Sequence, residues 1–347
     1  MKEVGLIGSF GLGETLTDGQ NVKSNSIYAA LQATYSKDEI EILDTHGHSK
    51  KTPKALMKSI KMMITCKNIV IMPAQNGVKV FVPLFFLMNH LFHRSLHYVV
   101  IGGWLGEYLH NKPKLVTMLK AFDGIYPETS TLLKELSILG LTNCYTFPNF
   151  KELPIISINE INRSFNAPYR VCTFSRVMKE KGISDIIEAV STINREGNRI
   201  IYELDIYGKV DSSYETEFEE QLEINKSYVH YKGIVAPDKS VETIRKYYLL
   251  VFPTRFATEG IPGTILDAYA SGVPVLSARW KSFSDLVDDG ITGFGYRQND
   301  ISDLISVLID LAEKPNLVVY AKKNCVEKAK QFLPEVAIHN LTCHFRR

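Results

Sequence analysis

The residues best placed to do chemistry lie in the stretch from Phe252 to Val275. It reads as strand, loop, helix, strand. Glu259 sits in the loop, and Asp267 follows eight residues later, inside the helix. Gly260-Ile261-Pro262-Gly263-Thr264 spans the helix start, where unpaired backbone N–H groups can face an anion. Two carboxylates beside such a phosphate site suit a ligand with hydroxyls at both ends, and a nucleotide sugar is such a ligand.

Three further features precede this stretch, each at a strand end. Phe174-Ser175-Arg176-Val177-Met178-Lys179-Glu180-Lys181-Gly182 carries a strand into two cations and a glycine that opens a helix. Arg176 and Lys181 can both reach a diphosphate there, with the helix dipole adding to them. Taken alone, the same residues read equally as a solvated basic turn. Asp205-Ile206-Tyr207-Gly208 ends a strand in a glycine that lets a ligand approach the backbone. In Tyr231-Lys232-Gly233-Ile234 the backbone can read the edge of a base, or form an ordinary turn.

Elements that position these residues alternate along the whole chain. Strands are predicted at Glu3–Ile7, Ile40–Leu43, Asn68–Met72, Tyr98–Ile101, Gly124–Tyr126 and Asn143–Phe147. A second series covers Arg170–Phe174, Tyr202–Tyr207, Tyr228–Tyr231, Leu249–Phe252 and Val273–Leu276. Helical patterns lie between most of them, such as Ile183, Ile186, Ile187 and Val190. The alternation implies an α/β fold with two parallel sheets covered by helices on both faces. A linker is expected at 151–168, with one domain over 1–160, a second over 169–325, and a helical segment over 326–347.

Composition narrows the function class. The chain has 347 residues, enough for two cores, and 40 basic against 38 acidic residues give a net charge of +2. That balance argues against nucleic acid as a partner. The five cysteines form no C-x-x-C pair and read as reduced intracellular thiols. The longest apolar run, Val80 to Leu91, is interrupted by Pro83, Asn89 and His90 and falls short of the roughly 20 residues that span a bilayer. A cytoplasmic protein is expected, with contact at the inner face of the cell membrane left open.

The string from Glu259-Gly260 through Asp267-Ala268, Ala270, Gly272 and Pro274-Val275 resembles the donor-site signature of the retaining GT-B glycosyltransferases of family four. Asp267 stands where that family usually has Glu. The resemblance extends to Arg176, Lys181-Gly182, Gly208 and Lys232-Gly233. It implies two doubly wound, Rossmann-like domains facing a central cleft. It further implies that Arg176, Lys181 and Glu259 carry catalysis: the two cations hold the diphosphate, and Glu259 accepts the donor sugar's hydroxyls. Gly260, Ile261, Pro262, Gly263 and Thr264 would bind the distal phosphate, Asp267 the ribose, and Lys232, Gly233 and Ile234 the base. The implied co-substrate is a nucleotide sugar, with a UDP-sugar expected, and neither cofactor nor catalytic metal. By the same resemblance the function is hexosyl transfer with retention to a saccharide or lipid-linked acceptor, in capsule or other surface-polysaccharide assembly.

The first half is expected to serve the acceptor. Gly8-Ser9-Phe10-Gly11-Leu12-Gly13 lacks the third glycine of a dinucleotide fingerprint, which weakens a nicotinamide oxidoreductase reading. In the resembled family this loop, here Gly13 with Gly19 and Gln20, reaches the donor. The stretch after the fourth strand, Ile101 to Glu107, has no histidine where many relatives place one. Trp104 could instead stack on an acceptor sugar and Glu107 contact its hydroxyls; a buried tryptophan at a strand end reads equally well. His46 and His48 flank Gly47 and read as a turn rather than a metal site. Lys54, Lys58 and Lys61 share one helical face, opposite Leu56, Met57, Ile60, Met63 and Ile64. Either this helix sits on anionic lipid or it is a core helix with solvated lysines. A sugar-nucleotide epimerase or a non-catalytic nucleotide-sugar-binding subunit would share the fold.

Overall fold

The protein is described here from a computed structural model that covers residues 1–11, 19–46 and 53–346. It divides into two compact units, one made of Met1–Lys151 with Leu333–Arg347 and one of Glu152–Phe332.

The first unit is a five-stranded parallel sheet: β1 (Lys2–Gly8), β2 (Ile40–Asp44), β3 (Cys66–Ile71), β4 (Ser95–Val99) and β5 (Gly124–Tyr126), in the order β2-β1-β3-β4-β5. Helices α1 (Gly19–Gln32), α2 (Pro53–Thr65), α3 (Gln75–Phe92), α4 (Leu105–Leu109), α5 (Pro113–Leu119) and α6 (Ser130–Ile138) connect and follow the strands. Apolar runs such as Val4 to Ile7 and Ile69 to Met72 are fully buried, as a sheet covered on both faces requires. One core packs α2, α3, α4 and α5 on one face; the other face holds α1, Phe147 and the end of the chain.

Two expectations shift here. The fourth strand is Ser95–Val99 rather than Tyr98–Ile101. Asn143–Phe147 runs beside β5, with Ile125 N–H donating to Asn143 O at 2.8 Å and Tyr145 N–H to Ile125 O at 2.9 Å, but only Cys144 forms a bridge.

In the second unit β6 (Tyr169–Phe174), β7 (Tyr202–Tyr207), β8 (Val229–Tyr231), β9 (Leu249–Phe252), β10 (Val275–Ala278) and β11 (Gly293–Tyr296) form a parallel sheet in the order β11-β10-β9-β6-β7-β8. Its helices are α7 (Ile183–Glu196), α8 (Glu215–Ile224), α9 (Ser240–Ile244), α10 (Gly263–Ala270), α11 (Phe283–Leu286), α12 (Ile301–Glu313) and α13 (Pro315–Ala329). β11, Gly-Phe-Gly-Tyr, is four residues long and half glycine, too weak a strand pattern to announce itself. The chain winds outward from β6 to β8, then returns to place β9 on the other side of β6. Such a reversal leaves a crevice beyond the carboxyl ends of the two strands.

The stretch predicted as a linker belongs to the second unit. Ile156 N–H donates to Ala270 O at 3.0 Å, and Phe165 packs edge-on to Tyr248. Helix α13 also stays with this unit, against α10. The return to the first unit begins at Leu333, and α14 (Pro334–Thr342) packs on α1. Asn68 then clasps Arg346 through both main-chain groups (2.7 and 3.2 Å), and Phe345 lies against the buried His97. Burial pushes the His97 imidazole down to about 3, so it is neutral at pH 7.

Candidate functional site

The site grows from the crevice between β6 and β9. β6 leads through Ser175 to a 3₁₀ turn, Lys179–Lys181, that ends on Gly182 with φ +68° before α7 begins. A side-chain carbon at Gly182 would overlap the Pro253 carbonyl, so only glycine lets the segment after β9 come this close. Gly208, with φ +135°, has the same relation to the Ser175 carbonyl. Its N–H donates to Gly233 O at 2.9 Å. Gly182 and Gly208 therefore draw together the exits of β9, β6 and β7, and the Gly208–Gly233 hydrogen bond ties in that of β8.

At this junction Lys181 pairs directly with Glu259. The Thr254 hydroxyl donates to the same carboxylate oxygen at 3.0 Å, and the ammonium lies 4.9 Å from the centre of the Phe256 ring. Both partners are only partly buried, so a ligand can reach them. The loop that carries Glu259 is anchored by Arg255. Its guanidinium makes a two-pronged pair with Asp185 in the first turn of α7, one arm at 2.9 Å, and its N–H donates to Glu180 O at 2.9 Å. Asp185 holds that guanidinium still more firmly protonated than usual. Gln298 ties the loop from the other side by donating to Thr254 O at 3.2 Å.

Four residues past Glu259, α10 starts at Gly263 behind Pro262, with no side chain capping it. A carbon added at Gly263 would meet nothing within 4 Å, and the Thr264 hydroxyl is buried with no hydrogen-bond partner. This is an open helix N-terminus, with its partial positive charge, next in the chain to a cation–carboxylate pair. Gly260 and Ile261 are buried beneath it. Asp267 is buried one turn further on and accepts from the Ser240 hydroxyl of α9 at 2.9 Å.

Arg176 is exposed just past β6. Lys232, Gly233 and Ile234 form an exposed turn past β8, Gly233 at φ +77°. Lys232 lies 3.5 Å from the buried Asp205, which Arg170 and the Tyr247 hydroxyl also engage, each at 2.6 Å.

In the first unit Gly19 and Gln20 open α1, and Gln20 donates to Met72 O at 3.3 Å, just past β3. Gly13 and His48 lie outside the described residues. Trp104 is half-buried: its indole N–H donates to Ile101 O at 2.7 Å and its ring meets Tyr108 edge-on. Glu107 is exposed in the first turn of α4. His46 lies 3.3 Å from the Ser9 hydroxyl.

Three pairings carry no signal in the sequence, because their partners are far apart along the chain. Arg255–Asp185 and Ser240–Asp267 are two; the third is a buried ion pair between Lys23 on α1 and Glu128 past β5. Burial lowers the Lys23 ammonium, with Glu128 pulling the other way.

Residues 168–314, most of the second unit, match the family model described as glycosyl transferases group 1. The chain is similar to the amylovoran biosynthesis glycosyltransferase AmsK of Erwinia amylovora, 23% identical over 163 residues, which are 44% of this chain and 38% of that one. It is also similar to an uncharacterized glycosyltransferase of Methanocaldococcus jannaschii, 23% identical over 207 residues, 54% of this chain and 50% of that one. The match thus spans half or less of either relative's length. Among solved structures, HepE of Anabaena in complex with UDP superimposes with a TM-score of 0.75 over 99% of this chain and 98% of that one, at 15% identity. The fold is that of the GT-B glycosyltransferases.

Proposed function

We propose that this chain is a metal-independent glycosyltransferase that moves a hexose from a nucleotide sugar, a UDP-sugar first, to a saccharide or lipid-linked saccharide, with retention. The observation that carries the reading is the Lys181–Glu259 pair, set where the second sheet reverses its winding and four residues before the open start of α10. A diphosphate brings the negative charge that Lys181, Arg176 and the α10 N–H groups would receive. Drawing Lys181 toward phosphate would free Glu259 to accept hydroxyls of the donor sugar. Asp267, with Ser240, would hold the ribose, and the turn at Lys232, Gly233 and Ile234 would meet the base.

In the transfer itself the bond from the anomeric carbon to the phosphate oxygen breaks and one to the acceptor oxygen forms. The acceptor proton passes to the departing phosphate, so no protein base is required. Stabilising that phosphate in place is the main catalytic task. Gly13, Gly19, Gln20, Trp104 and Glu107 of the first unit would contact the donor and acceptor. The similarity to an amylovoran biosynthesis enzyme supports a role in capsule or other surface-glycan assembly. HepE's complex with UDP supports uridine as the base.

Thermal-shift titration of the full chain with the nucleoside diphosphates tests the donor assignment. UDP should raise the unfolding temperature of the wild type and should do so much less for Lys181→Ala. No shift with any nucleoside diphosphate would overturn it. An epimerase would instead convert the donor sugar with no acceptor present.

A further inference from the structure

The helical layer that covers β1 to β4 of the first unit exposes apolar side chains that the core does not use. Helix α2 turns Ser59, Met62 and Met63 inward and leaves Leu56, Met57, Ile60 and Ile64 exposed. Of the five residues that the sequence sets opposite the lysines, Met63 alone faces the core and the other four are exposed. Helix α3 buries Val78, Phe81, Val82 and Phe85 in the same core and exposes Leu87 and Leu91. Met57, Leu87 and Leu91 are 68%, 65% and 76% exposed. The two helices pack side by side. Arg94, after α3, fastens them by donating to the last carbonyls of α2, Met63 O at 2.7 Å and Ile64 O at 3.3 Å. Single exposed apolar side chains are ordinary, whereas a group of them on one layer marks an interaction surface.

Charge decides what covers it. Residues 45–106 contain seven lysines and one arginine and no Asp or Glu. The remainder of the chain holds all 38 acidic residues and is therefore net acidic. On α2, Lys61 is exposed, and the acid closest to it, Glu41 at 3.9 Å, is held more tightly by Lys2 at 2.8 Å. Lys79 is exposed on α3. A second copy of the chain docked face to face would set these cations against each other. A surface both apolar and negatively charged suits them. We propose that the α2–α3 face docks on an anionic lipid bilayer, with Leu87, Leu91 and Met57 entering the headgroup layer and the lysines reaching its phosphates. No described helix is long and apolar enough to cross the membrane, so the helices lie along it. The docking goes beyond the transfer reaction and does not depend on it.

The test is co-sedimentation of the full chain with vesicles of phosphatidylcholine alone or with roughly 30% phosphatidylglycerol. Binding is expected to the anionic vesicles only and should weaken in about 0.5 M salt. Both Met57→Glu with Leu91→Glu and Lys58→Glu with Lys61→Glu should lower partitioning by about tenfold or more. Lys226→Glu, on the second unit, should leave it unchanged. Met57, Lys61 and Leu91 are solvent-exposed and Lys58 is half-buried, and matched unfolding midpoints would establish that the variants fold. The proposal is overturned if the wild type ignores anionic vesicles or binds neutral ones equally. It is overturned too if the apolar-to-glutamate variant binds as the wild type does, or if it dissociates a dimer in solution.

Discussion

Gly182→Ala separates the geometry of the Lys181–Glu259 junction from the general stability of the second unit. Gly182 adopts φ +68°, a left-handed conformation that costs an alanine about 1 kcal/mol or somewhat more. The added methyl would also overlap the Pro253 carbonyl, inside the 3.0 Å that real contacts keep. To relieve it the loop must retreat by about 1 Å, and overpacking of this kind costs a further 1–3 kcal/mol or so. That loop holds Thr254 and Glu259, while Lys181 precedes the substituted residue, so the methyl pushes the two charges apart. A displacement of about 1 Å in such a site costs about a hundredfold in turnover. Gly290→Ala is the control: its φ is +76°, but a methyl there meets nothing within 4 Å. It should lose only about 1 kcal/mol and no turnover. Urea unfolding and release of nucleoside diphosphate from the sugar donor measure both quantities. If the two variants lose stability and turnover alike, the close approach at Gly182 does not set the site.

Lys322 on α13 is buried, donates to the Tyr247 and Gly272 carbonyls at 3.1 and 3.4 Å, and burial pushes its ammonium down to about 8. The folded chain then binds fewer protons than the unfolded one between about pH 8 and 10.5, so this residue makes stability rise with pH across that window, by about 3 kcal/mol in all. Lys322→Met should remove that rise relative to the wild type, and an unchanged difference between urea midpoints at pH 7.5 and 10 would refute it. Lys23→Met removes the buried ammonium that pairs with Glu128 and should cost about 3–5 kcal/mol, whereas adding Glu128→Gln should return part of that loss. Equal denaturant midpoints for the single and double variants would count against a paired role.

Much of the fold was legible because buried parallel strands are near-continuous apolar runs, as at Leu249–Phe252 and Tyr202–Tyr207. β11 escaped because it is half glycine. Gly293 lies so close to the Val275 carbonyl that a methyl would overlap it, a demand set by the neighbouring strand and invisible in the local pattern. On α2 the periodicity was visible but its inward side was not. The core takes the stripe of Ser59, Met62 and Met63, and Ser59 tolerates burial by donating to Ala55 O at 2.9 Å. The candidate site divides the same way. Glu259, Gly260 and Gly263 are neighbours in sequence and could be read together. Arg255 stood in the same string, but its purpose depends on Asp185, 70 residues earlier, and only folding brings them together.

The most direct measurement of the central claim is release of nucleoside diphosphate from the sugar donor by Glu259→Gln, set beside its affinity for the nucleoside diphosphate alone. If Glu259 acts on the donor sugar as proposed, turnover falls by about a hundredfold or more while the affinity stays within about threefold of the wild type. Turnover equal to that of the wild type would contradict it.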